Sequence, residues 1–187
     1  MSAKEYTEKI LGELTGNLRY VNDEQLSELI NAILSADHIF TAGAGRSGLA
    51  MKAFTMRLMH LGLSVSSVGE MSAPHTRKGD LLIIGSGSGE TESLTAMAKK
   101  AKKNGVTIAL ITTNEESAIA KLAEVVVALP GISPKLENES MRITSIQPMG
   151  SAFEQTSFLV YDGIVMELMD RMSETSDTMY LRHADLE

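Results

Sequence analysis

The chain has 187 residues, no cysteine and a formal net charge of -7. That length suits one folded unit whose core buries roughly 70% of its unfolded surface, and the missing thiols exclude disulfides, cysteine nucleophiles and cysteine zinc sites. The acidic balance argues against nucleic acid and anionic membrane as partners, and no apolar run reaches the length of a membrane span.

Residues 1–15 are charged and amphipathic rather than signal-like, so a cytoplasmic protein is expected. The histidines show no i, i+4 pairing, and no metal site is expected. Met 12 beside aromatic 4% points to adaptable packing, as at subunit contacts.

A helical pair opens the chain over about 2–35. Tyr6, Ile10, Leu14 and Leu18 recur at helical spacing, and Leu26, Leu29, Ile30, Ile33 and Leu34 repeat the pattern behind an Asn22-Asp23 cap signal. Residues 38–42 read as a strand that runs into Gly43, Gly45 and Gly48; Met51, Phe54, Leu58, Met59 and Leu61 then mark a helix ending near Gly62. Further strands are predicted at 63–68, 81–84, 106–111 and 125–129. Between the third and fourth lies a lysine-rich helix buried through Leu94, Met97, Ala98 and Ala101, and a short helix at 117–121 precedes the fifth. Continuous apolar strands separated by helices demand a parallel sheet covered on both faces. The predicted fold class is therefore α/β, a three-layer α-β-α doubly wound domain with a five-stranded parallel sheet.

Residues 131–147 are polar and aperiodic, a long surface excursion of the kind that is usually functional. A long helix then runs from about 149 to 172 on Phe153, Val160, Ile164 and Leu168, and with the polar tail it forms a C-terminal part at about 149–187. One domain is expected to span 1–187.

The chain is organised around Leu81-Leu82-Ile83-Ile84-Gly85-Ser86-Gly87-Ser88-Gly89-Glu90-Thr91, which reads as a buried strand, a tight loop and a helix N-terminus. Gly87 and Gly89 let backbone approach a ligand, Ser86, Ser88 and Thr91 add hydroxyls, and the helix adds unpaired N–H groups and partial positive charge, so phosphate is the expected guest. The bland alternative is a solvated turn with Thr91 capping its helix. A second loop, Gly43-x-Gly45-x-x-Gly48, matches the dinucleotide fingerprint, with Glu70 where a ribose-binding acid would stand. Against a dinucleotide stand the polar Arg46 and Ser47, the separate Ser-Gly loop, and the lack of a second domain for a redox substrate. Ligands in such folds sit beyond the carboxyl ends of the strands, so both loops are expected to share one ligand.

The paired loops on this frame resemble the sugar isomerase (SIS) domain of phosphosugar-binding proteins. Within that group, residues 39–48, Arg57 to His60, Gln147 to Ser151, Phe153 to Gln155 and His183 to Glu187 look like the 6-phospho-3-hexuloisomerase family, over nearly the whole chain. The resemblance implies interconversion of D-arabino-hex-3-ulose 6-phosphate and D-fructose 6-phosphate in the ribulose monophosphate route of formaldehyde fixation. It also implies a homotetramer and a functional partner in hexulose-phosphate synthase. A non-catalytic phosphosugar-binding module is the alternative.

Such a reaction passes through an enediol, and one carboxylate can move the proton without cofactor. Glu154, one turn into the last helix, is either that base or an acid stabilised by the helix dipole, and its resemblance to the family's catalytic glutamate favours the base. Glu90 is the competing carboxylate, read as a first-turn cap beside the phosphate. His60 and His183 are candidates for a second acid or base; the alternative for His60, in an apolar helix, is a satisfied core histidine, and His183 would act by reaching a neighbouring subunit. Arg46 is placed at the phosphate or the enediolate, with a surface salt bridge as the equal alternative, and Ser47 at the phosphate or a sugar hydroxyl.

Overall fold

Five short strands, β1 (Ile39–Gly43), β2 (Val65–Ser67), β3 (Leu81–Gly85), β4 (Thr107–Thr112) and β5 (Val125–Ala128), pair in parallel in the spatial order β2-β1-β3-β4-β5. The computed structural model describes residues 1–131 and 145–186, so most of the expected surface loop at 131–147 lies outside the described residues. The helices are α1 (Ala3–Asn17), α2 (Asp23–Ser35), α3 (Gly45–His60), α4 (Glu92–Lys103), α5 (Ser151–Met172) and α6 (Ser176–Tyr180).

Alternation along the strands splits the core in two. Ile39, Leu81, Ile83, Ala109, Ile111 and Val127 face Leu29 and Ile33 of α2, Phe54 and Leu58 of α3, and Val160, Ile164 and Leu168 of α5. Phe40, Ala42, Leu82, Ile84, Ile108 and Leu110 face Leu94, Ala98 and Ala101 of α4 and Ile119. The three-layer α-β-α arrangement is the expected one. On the first face α3 and α5 lie together, the Phe54 ring stacking on Tyr161 with centroids 4.8 Å apart.

Four details differ from the sequence reading. α3 begins at Gly45, where the glycines suggested loop, because Gly43 and Gly48 let helix and strand touch: a Cβ on Gly43 would sit 2.8 Å from the Gly48 Cα. The short helix predicted at 117–121 is a 3-10 turn, Ala120–Leu122. The polar tail contains α6, started by a Thr175–Thr178 capping box and seated through the buried Met179. Of the expected stripe on α1, Leu14 is buried, whereas Tyr6 and Leu18 are exposed, since little of α1 faces this chain's own core.

Candidate active site

Strand register sets Gly43 of β1 beside Gly85 of β3, so the two glycine-rich loops leave the sheet side by side at its carboxyl edge. Between them and the start of α5 lies a cavity of about 540 Å³, within the range of roughly 300–1,000 Å³ usual for small-ligand sites. Three helix N-termini line it. Their N-cap residues are Ala44 for α3, Thr91 for α4 and Gly150 for α5, and none has a side-chain capping bond. By contrast, α1, α2 and α6, which are remote from the cavity, are capped by Ser2, Asn22 and Thr175. Three sets of free N–H groups and three dipole ends thus converge on one space, an arrangement that favours an anion.

The Ser86–Thr91 loop is held from behind. The Gly87 carbonyl accepts bonds from the Thr113 backbone N–H at 3.0 Å and from the Thr113 and Thr112 hydroxyls at 2.8 and 3.1 Å. The Ser86 hydroxyl accepts from Gly89 N–H at 3.2 Å and lies 3.5 Å from the Thr91 hydroxyl, while that of Ser88 accepts from Glu90 N–H at 3.2 Å. Ser88 keeps its own proton to donate, and so does Ser86 when Thr91 is the donor in their contact. Thr91 does not cap α4 through its side chain, so the bland reading of that residue fails and its hydroxyl remains at the cavity. Beneath the loop, Phe153 packs so closely that a Cβ on Gly87 would come within 3.1 Å of its ring.

Opposite the serines, an Arg46 guanidinium nitrogen donates to Glu154 Oε2 at 2.9 Å and to Ser151 Oγ at 3.0 Å. The Glu154 side chain is 20% exposed and that of Arg46 54%, so the pair is worth about 1 kcal/mol or less and can be exchanged for a substrate oxygen. The cavity floor is Gly85, where a Cβ would lie 3.0 Å from the Tyr161 hydroxyl. Burial pushes that phenol well above its ordinary value against a smaller opposing effect of Ser157, so it stays neutral and is no base. Among the described residues, no group of three His, Cys, Asp or Glu side chains is placed to hold a metal, and no helix is long and apolar enough to cross a membrane.

Arg46, Ser47, Ser86, Gly87, Ser88, Thr91 and Glu154 come together at this cavity. Gly89 and Glu90 turn away from it. Gly89, at φ +62, backs onto Ser117, and the Glu90 carboxylate accepts from Ala118 N–H at 2.7 Å, so Glu90 braces a neighbouring loop instead of capping α4. Glu70 accepts from Ser67 N–H at 3.3 Å and lines no part of the cavity. His60 closes α3, about 22 Å from its first residue. There its ring stacks on His183 at 5.3 Å, and burial, with Arg57 and His183, holds its pKa below the ordinary value. Within one chain, then, both histidines lie at the far end of α3 from the cavity. The sequence reading missed Pro148, Met149, Gly150 and Ser151 as cavity wall; a hydroxyl on the first residue of a helix was the available signal for Ser151.

The family model described as "SIS domain" matches residues 32–158. The chain is 48% identical to the 3-hexulose-6-phosphate isomerase of Bacillus subtilis, over 100% of both chains, and 39% identical to that of Mycobacterium gastri, over 96% of this chain and 94% of that one. A crystal structure from Methanococcus jannaschii, described as inferring 3-hexulose-6-phosphate isomerase function for that protein, is 34% identical with a TM-score of 0.83, covering 98% of this chain and 99% of that one. With its five-stranded parallel sheet and paired glycine loops, the chain belongs to the SIS domain family.

Proposed function

We propose that the chain is an isomerase interconverting D-arabino-hex-3-ulose 6-phosphate and D-fructose 6-phosphate, the activity for which its Bacillus and Mycobacterium relatives are named. The observation that carries this reading is the meeting, in one cavity, of three uncapped helix N-termini, a set of serine and threonine hydroxyls, and one carboxylate, Glu154. The phosphate rests on Ser86, Gly87, Ser88 and Thr91 at the start of α4. Glu154 removes the proton from C2, an enediol forms as the C3 carbonyl gains a proton, and C3 is then protonated while the C2 hydroxyl loses its proton to become the new carbonyl. Arg46 leaves Glu154 to meet the developing enediolate, and Ser47 holds a sugar hydroxyl. This proton transfer is redox-neutral and calls for no nucleotide.

His60 and His183, remote from their own chain's cavity, assist only by entering that of a neighbouring subunit. Exposed Leu49, Met56 and Met59 on α3 and Phe158, Leu159 and Met166 on α5 support a homo-oligomer, read as a tetramer. The chain works in the cytoplasm on the product of a hexulose-phosphate synthase. A sensor module would bind fructose 6-phosphate without turning it over; the isomerase equilibrates it with the 3-ketose, and stoichiometric binding without turnover would reject the enzyme.

A further inference from the structure

We infer that Glu13, on the outer helix α1, is a positioning residue for the reaction: it anchors the strap of residues 145–150 that walls the cavity and launches Glu154. The inference rests on the isomerase reading of the site. Glu13 Oε1 accepts from the Ser145 hydroxyl at 2.5 Å and from the Gln147 side-chain amide at 3.2 Å, and Oε2 accepts from Ile146 N–H at 3.2 Å. Three donors from three consecutive residues therefore converge on one carboxylate more than 130 positions away in sequence. Ionised acceptors make the stronger hydrogen bonds. Both oxygens of the carboxylate are thus engaged by the strap.

The strap leads directly into the site. Pro148, Met149 and Gly150 line the cavity, Ser151 N–H donates to the Pro148 carbonyl at 3.1 Å, and Glu154 N–H donates to that of Gly150 at 3.0 Å. Between anchor and helix, Met149 adopts φ 54 with its side chain exposed. A non-glycine residue in the left-handed region persists only where its surroundings hold it, and here the holding points are Glu13 on one side and the first turn of α5 on the other. Removing the carboxylate would leave the Ser145 and Gln147 donors without an acceptor in a part-buried place, where Gln147 Oε1 already lacks a partner among the described residues. The strap would then leave, and with it the placement of Glu154, while the phosphate loop, anchored separately on Thr112 and Thr113, stays.

The test compares wild type, Glu13→Ala and Glu13→Gln in the full chain. Glu13→Ala is expected to lower kcat by about 10–100-fold, the usual consequence of a displaced reacting group, while affinity for inorganic phosphate stays within about twofold. Amide exchange at Gln147, Met149, Gly150 and Glu154 should accelerate, with that at Ser86–Thr91 unchanged. Glu13→Gln, which keeps an acceptor oxygen, should recover most of kcat and of the protection. Unchanged exchange across 147–154 in Glu13→Ala would overturn the inference, as would parallel loss of phosphate affinity and of protection throughout the chain. A wild type that turns over neither sugar phosphate would reject the isomerase reading, while the exchange and phosphate measurements would still decide the anchoring.

Discussion

Replacing Gly43 with alanine tests whether the contact between β1 and α3 sets the cavity. The new Cβ would lie 2.8 Å from the Gly48 Cα, 3.2 Å from the Gly48 nitrogen and 3.3 Å from the Gly85 carbonyl oxygen, all backbone atoms that cannot rotate aside. Carbon atoms rest at about 3.5–4.0 Å, so the first turn of α3 has to retreat by about 0.7 Å or more. Overpacking of this kind costs about 1–3 kcal/mol, several degrees of Tm in a chain of this size. Arg46 and Ser47 ride on that turn, and the Arg46–Glu154 contact of 2.9 Å moves with them. A displacement approaching 1 Å is worth up to about 10²-fold in rate. Thermal unfolding and steady-state kinetics should therefore both register Gly43→Ala. Gly12→Ala is the control: Gly12 lies within α1 with nothing among the described residues within 4 Å of a built Cβ, and it should gain about 0.5–1 kcal/mol with unchanged kinetics. Wild-type Tm and kcat/KM in Gly43→Ala would refute the close-approach argument.

Ser88→Asp should weaken binding of fructose 6-phosphate by more than about a hundredfold, since like charges 4 Å apart repel by about 4 kcal/mol at an effective dielectric near 20; unchanged affinity by calorimetry would remove the phosphate from this loop. Because the buried His60 ring is held below its ordinary pKa of 6.5, its neutral form contributes stability that is complete above about pH 6.5 and is lost as pH falls through its lowered folded value. Tm should accordingly fall less between pH 7.5 and 5.5 in His60→Gln than in wild type, and identical profiles would contradict the assignment. Turnover should survive EDTA, because one carboxylate suffices for the proton transfer; loss restored by a divalent ion would overturn that mechanism. Light scattering at micromolar concentration should report an oligomer, and a monomer would contradict the apolar exposure of α3 and α5 as an interface.

The sheet was legible because β1, β3 and β4 are buried on both faces and therefore read as unbroken apolar runs such as Leu81–Gly85. The loop from Ser86 to Thr91 was legible as a candidate anion site because glycines interleaved with serines run straight into a helix N-terminus, and most of it does line the cavity. What stayed hidden depended on direction. Spacing along the chain put Gly89 and Glu90 with their neighbours, yet the left-handed turn at Gly89 sends the Glu90 carboxylate to Ala118 instead. His60 is buried, as a histidine in an apolar helix can be, but helical spacing does not say at which end of α3 the ligand would lie. The five residues of α6 were too few for periodicity, and their cap pairs threonine with threonine instead of glutamate. Glu13 carried no signal at all, because its partners lie more than 130 residues further on.

The central claim is that Glu154 carries the proton between C2 and C3. In heavy water the wild type should place deuterium at C3 of fructose 6-phosphate as the enediol is reprotonated. Glu154→Gln should keep its affinity for the sugar phosphate and lose exchange and turnover together, by about 10²–10⁴-fold. Near-normal exchange and turnover in a folded Glu154→Gln protein would contradict the account.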